Sequence, residues 1–198
     1  MKDTEKPRRP DVDDVDLIGG SEKRHLEVVG YDDRWPEIFS EHRARLVAAL
    51  RGVPVEIEHI GSTSVPGLPA KPIIDIVVAV DDITAEEDYL DPIVAAGYVL
   101  RVREPGHRLV RTPARDVHVH IFQKGDAAVT KYLLFRDRLR DDADDRALYA
   151  RTKHALISQG FDDMNAYSDA KTDVIAGVLA RAVAARSSAS EEIARRPL

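Results

Sequence analysis

Apolar positions along the chain change period several times, and each change marks an element. Residues 73–80, Ile-Ile-Asp-Ile-Val-Val-Ala-Val, are almost continuously apolar. A run of that length between polar residues predicts a central strand buried on both faces. Residues 55–60, 99–102, 109–111 and 117–122 predict four more strands, and 25–30 alternate like a short strand or extended entry. The first helical pattern opens at Trp35-Pro36, where a proline in the first turn forfeits no hydrogen bond. Phe39, Leu46, Val47 and Leu50 then recur at helical spacing, and Gly52 closes the helix. Thr84 with Glu87 three residues on predicts a capping box, opening a helix that runs to about residue 96 and stops at Gly97. Beyond Gly125 the pattern is helical throughout, over residues 127–139, 146–159 and 164–185.

Helix, strand, loop, strand, helix, three strands and three helices make an α+β chain: a mixed β-sheet packed against a C-terminal helical layer. Residues 1–23 are polar, charged and interrupted by Pro and Gly, and read as a flexible N-terminal tail. Residues 24–186 form one folded domain. Residues 187–198 read as a C-terminal tail or a frayed helix end.

Composition narrows the chemistry. The 198 residues carry 29 Lys+Arg against 35 Asp+Glu, a net charge of −6, which argues against a nucleic-acid partner. There is no Cys, so disulfides, thiolate nucleophiles and cysteine-bound metals are excluded. No apolar run approaches the roughly 18 residues of a membrane span, and the N-terminus lacks a signal-peptide stretch. The expectation is a cytoplasmic protein with no membrane partner.

Residues 56–76 hold the densest chemistry. A strand runs into a loop with two Gly, two Ser and a Thr, then a Lys, then an Asp inside an apolar strand. Gly61 allows close backbone approach, so the N–H groups of Ser62, Thr63 and Ser64 could face an anion, with their hydroxyls as further donors. Lys71 adds a point charge suited to phosphate. Asp75 is a hard oxygen donor suited to Mg²⁺, and a carboxylate among Ile and Val costs desolvation energy unless it is paired or metal-bound. An ordinary turn followed by a solvated lysine is the plainer account of the loop.

His118 and His120 stand two apart on a strand and share a face, so they could bind a metal, move protons or contact phosphate. A hydrogen-bonded pair on a half-exposed sheet fits the same spacing. His59 lies close enough in sequence to join the pocket. On the later helices, Lys131, Arg138 and Arg140 read as a solvated face, Arg136-Asp137 as a local ion pair, and Tyr167 and Lys171 share one helix side.

The run E-H-I-G-S-T-S-V-P-G-L-P-A-K-P-I-I-D-I over residues 58–76 resembles the signature of the GrpB family. Y-D-D-R-W-P (31–36), H-V-H-I (118–121), L-F-R-D-R-L-R (134–140) and Y-S-D-A-K (167–171) extend the resemblance in the family's order over residues 28–183. Related domains occur fused to dephospho-CoA kinase, but the kinase loop G-x-x-x-x-G-K-[ST] is absent here.

The resemblance implies the fold of the polymerase-beta-like nucleotidyltransferase superfamily. It matches Gly61-Ser62 to the superfamily's Gly-Ser turn and Asp75 to the first acid of its pair. The second acid would stand at Val77, and a third where the chain has His118 and His120. By this resemblance the chain binds a nucleoside triphosphate with Mg²⁺ and transfers a nucleotidyl or phosphoryl group to a small acceptor. Gly61, Ser62, Thr63, Ser64, Lys71, Arg136 and Lys171 would hold phosphate. Asp75, Glu58 and His120 would hold metal, and Asp75, His118 and His120 would carry catalysis. The missing acid at Val77 leaves two alternatives: a catalytically silent nucleotide- or anion-binding module that assists a protein partner, and a metal hydrolase built on the histidines.

Overall fold

The computed structural model describes residues 9–20, 27–158 and 170–194, with side chains through residue 187. Its elements in order are β1 (Asp16–Leu17), α1 (Trp35–Ala49), β2 (Glu56–Ile60), a 3₁₀ turn (Ser62–Ser64), β3 (Ile74–Val80), α2 (Glu86–Ala95), β4 (Val99–Glu104), β5 (His107–Arg111), β6 (Val117–Gln123), α3 (Ala127–Asp141), α4 (Ala143–Ser158) and α5 (Thr172–Ala194). The architecture is the α+β class expected, a mixed sheet followed by a helical layer. No helix among the described residues is long and apolar enough to cross a membrane.

The six strands lie in the order β1-β4-β5-β6-β3-β2. Only β3 and β6 run parallel, with Asp75 beside His118 and Val77 beside His120; the other pairs are antiparallel. This register sets the chemistry. Odd positions of β3 and even positions of β6 point to one face, bringing the Asp and both His together. The alternate residues, Ile74, Ile76, Val78, Val117, Val119 and Ile121, point to the other. There they form the main core with Trp35, Leu46 and Leu50 of α1 and Tyr89 and Ile93 of α2. Each such aliphatic side chain removed from water contributes about 1.5–3 kcal/mol before the entropy of ordering is set against it.

On the site-bearing face, Ile60, Val77 and Phe122 pack under Ala128, Val129 and Leu133 of α3. Farther along, Val65 and Leu68 of the loop after β2 pack with Leu139, Tyr149 and Val178 of α3, α4 and α5. The helical layer therefore grips the Gly/Ser loop itself. The buried carboxylate of Asp145 ties the three helices by accepting from Arg138 Nε at 2.6 Å and Arg181 Nε at 2.8 Å.

Several local expectations change. Residues 9–20, within the stretch read as a tail, carry defined contacts: Asp16–Leu17 pair with β4, and Asp11 Oδ1 accepts from the buried Arg108 at 2.5 Å. The physical reason is that Arg108 is almost wholly enclosed and needs carboxylates, which Asp11 and Glu86 supply. Residues 25–30 do not form a strand as far as they are described; Val29 makes an isolated bridge to Ala70. Thr84 does not cap α2. Its N–H and hydroxyl both donate to Asp82 Oδ1, a closer acceptor, and the helix starts after Ala85. Val47 is 48% exposed and leaves the core stripe. α4 begins at Ala143, because Asp142 accepts from the Asp145 N–H, and α5 continues through Ala194. The expected helix start at residue 164, and Tyr167, lie outside the described residues.

Candidate functional site

A cavity of about 300 Å³ opens on the site-bearing face between β3, β6 and the helical layer. Its lining includes Gly61, Ser62, Lys71, Asp75, His118, His120, Tyr132, Lys153 and Lys171. One carboxylate, two imidazoles and three lysines thus share one space.

Asp75 lines it with a side chain 29% exposed, its Oδ1 lying 3.7 Å from His118 Nδ1 and 3.8 Å from His120 Nε2. Burial pushes the Asp75 carboxyl up, but the pull of His120, then His118 and His59, outweighs it and holds the group below its ordinary value. The potential ligand atoms of Asp75, His118 and His120 all fall within 4.8 Å of one another.

His120 is itself held from behind. Its Nδ1 meets His107 Nε2 at 3.2 Å, and His107 Nδ1 meets Glu104 Oε1 at 2.5 Å. The His107 ring lies parallel to both His120 and Phe122, with centroids 5.3 and 4.4 Å away. Burial, then the neighbouring His120, keep His107 below the ordinary imidazole range. Neither Glu104 nor His107 stood out in the sequence. Their signal was parity: His107 follows the Pro105-Gly106 turn at the head of β5, where antiparallel pairing puts it on the same face as His120.

The loop after β2 is shaped by its own hydroxyls. Gly61 has φ 70° and ψ −176°, open to glycine alone. Thr63 is buried; its hydroxyl donates to the Ile73 carbonyl and meets His59 Nε2, both at 3.1 Å. Ser64 Oγ donates to the Gly61 carbonyl at 2.6 Å. The Thr63 and Ser64 hydroxyls, expected to face an anion, are engaged inside the loop, while Ser62 and Thr63 both line the cavity. His59 faces the opposite side of the sheet, stacked 4.7 Å from Phe39. Burial pushes its imidazole down to about 4.

Lys153 of α4 was missed by sequence reasoning. In Arg-Thr-Lys-His on a helix, a lysine reads as solvated, and nothing local says otherwise. In the fold it is 3% exposed. Its Nζ donates to Ser62 Oγ at 3.2 Å and to the Pro69 carbonyl, and lies 4.8 Å from the Tyr149 ring centroid. Burial, aided by Lys171 and Lys71, pushes it down to about 7. Burial likewise lowers Lys171, against the pull of Asp75.

Two predicted residues lie apart from the cavity lining. Arg136 Nη1 donates to Glu58 Oε2 at 2.8 Å and to the His59 carbonyl at 3.1 Å, while its Nε donates to Asp137. Glu58 sits on edge strand β2, half-exposed, and is not brought to the Asp75 cluster. The two bind each other, clamping α3 to β2 beside the site. Val77, where a second acid would stand, is buried against Ile60 and Phe122.

Among known proteins, a UPF0157 protein of Streptomyces coelicolor is 65% identical over 90% of this chain and 96% of its own length. A dephospho-CoA kinase of Mycolicibacterium paratuberculosis is 29% identical over 72% of this chain, which spans 42% of that protein. The crystal structure of the conserved protein GrpB from Enterococcus faecalis superposes with TM-score 0.72 at 31% identity, covering 81% of this chain and 99% of that one. The GrpB protein family model matches residues 25–181, and the chain belongs to the GrpB family.

Proposed function

We propose that the cavity binds a nucleoside triphosphate beside a divalent cation and that the chain transfers a nucleotidyl or phosphoryl group to a small acceptor. The observation that carries this reading is the joining of Asp75 to Lys71, Lys153 and Lys171 around the Ser62 turn in one cavity. Three ammonium groups beside one carboxylate suit a polyanion that arrives with its own cation. The Lys153 ammonium is held at a cost by burial and by the neighbouring Lys171 and Lys71, and a bound phosphate relieves that cost. In the transfer, an acceptor hydroxyl oxygen bonds to the α- or γ-phosphorus. The bond to the adjoining bridging oxygen breaks, pyrophosphate or nucleoside diphosphate departs with the electron pair, and the acceptor proton passes to water.

A set of three carboxylates for two Mg²⁺ ions does not fit these residues. One carboxylate is present, Val77 is buried hydrocarbon, and imidazoles fill the remaining positions. That favours a second reading, a silent nucleotide-binding module. Incubating the protein with each labelled triphosphate and a pool of small acceptors, with either Mg²⁺ or Mn²⁺, separates the two. Turnover lost in Asp75→Ala supports transfer. Binding without product in wild type, retained in Asp75→Ala, supports the silent module.

A further inference from the structure

We infer that Asp75, His118 and His120 hold a first-row transition-metal dication in preference to Mg²⁺, with His107 and Glu104 as the relay that positions His120. This deepens the reading above, since it shares the cavity, but it requires no nucleotide.

The argument begins with the relay. A carboxylate only accepts hydrogen bonds, so His107 Nδ1–H donates to Glu104 Oε1. The neutral His107 then offers its Nε2 lone pair, and His120 Nδ1–H donates to it. In the neutral imidazole, the form a metal binds, that leaves His120 Nε2 as the lone pair on the Asp75 side, and the Asp75 carboxylate is itself an acceptor. Their 3.8 Å separation is too long for a hydrogen bond. It is close to the separation of two donors on one metal: bonds of about 2.0–2.1 Å at tetrahedral angles put ligand atoms about 3.4 Å apart. His118 Nδ1 lies 3.7 Å from the same oxygen, and with all three donors within 4.8 Å of one another, side-chain shifts of about 1 Å bring the set to metal-ligand spacing.

The donor types choose the ion. Two imidazoles and one carboxylate with open positions beyond them suit Zn²⁺, Co²⁺, Mn²⁺ or Fe²⁺, whereas Mg²⁺ favours an all-oxygen shell. A ligand histidine whose other nitrogen is fixed through hydrogen bonds to a carboxylate is the outer-shell arrangement found at metal centres.

The test titrates Co²⁺ alone into untagged, chelator-stripped protein, reading visible absorption and affinity, with Mg²⁺ as the comparison. Co²⁺ is expected to bind at least ~100-fold more tightly than Mg²⁺, and His118→Ala or His120→Ala to lose that binding. His107→Phe keeps the stacked ring but removes both nitrogens. It is expected to weaken Co²⁺ about 10- to 100-fold and alter the spectrum with thermal stability unchanged. Equal affinity for Co²⁺ and Mg²⁺, or Co²⁺ binding untouched by the His118 and His120 variants, overturns the site. Unchanged Co²⁺ affinity in His107→Phe overturns the relay. Failure of triphosphate binding leaves this titration standing, and failure here leaves the triphosphate reading to its own assay.

Discussion

Gly61 and Asp75 are fitted to each other: a Cβ added to Gly61 would lie 2.4 Å from Asp75 Oδ2 and 3.0 Å from its Cβ. The absent side chain leaves the space in which the central carboxylate sits, and the backbone there is one that other residues adopt only with strain. Gly61→Ala therefore has two effects. It costs stability on the order of 1–3 kcal/mol, measurable by urea denaturation, and it displaces Asp75, so metal affinity falls by more than the stability loss explains.

Lys153 predicts a proton linkage. Its folded value is about 7, against 10.5 for an ordinary lysine. Between those values the unfolded chain binds a proton the folded chain does not, so this group makes stability rise with pH from about 7 upward. A bound polyanion favours the charged form. Calorimetry with pyrophosphate at pH 8, in buffers of different ionisation enthalpy, should show uptake of roughly one proton per site, lost in Lys153→Met.

His59 predicts acid sensitivity. Burial holds it near 4 in the folded chain against 6.5 for an ordinary imidazole. The unfolded chain takes up a proton as pH falls through 6.5, and the folded chain resists until about 4. Stability therefore drops over that window by about 3 kcal/mol. His59→Gln, an uncharged replacement, should flatten the drop in denaturant midpoint between pH 6.5 and 4.5.

The docked N-terminal segment is testable at Asp11. Its bond to Arg108 helps neutralise a guanidinium that is nearly fully enclosed. Asp11→Ala leaves Glu86 as the remaining carboxylate on Arg108 and should cost about 2 kcal/mol in chemical denaturation. Asp13→Ala, an exposed neighbour, should cost little.

Much of this arrangement was legible in the chain. The apolar run 73–80 could only be a central strand, which made Asp75 conspicuous, and the two-residue spacing of His118 and His120 already placed both on one face. What escaped was whatever depends on tertiary closure. Lys153 looks like any surface lysine until α4 lies over the Ser62 turn. His107 needs the register of β5 against β6 to reach His120. Asp16–Leu17 are too short to show a strand period, and their partner is 85 or more residues away. Arg136 and Glu58 were placed in the site by the family resemblance, but opposite charges on adjoining α3 and β2 satisfied each other first.

The account turns on whether the lysine-lined cavity takes a triphosphate. Equilibrium binding of each nucleoside triphosphate to wild type and to Lys171→Met, with thermal stability as the fold control, addresses it directly. Binding of at least one triphosphate at or below about 1 mM, weakened about tenfold by Lys171→Met at unchanged stability, is the predicted result. Absence of binding by every triphosphate at millimolar concentration, or affinity indifferent to Lys171, would contradict it.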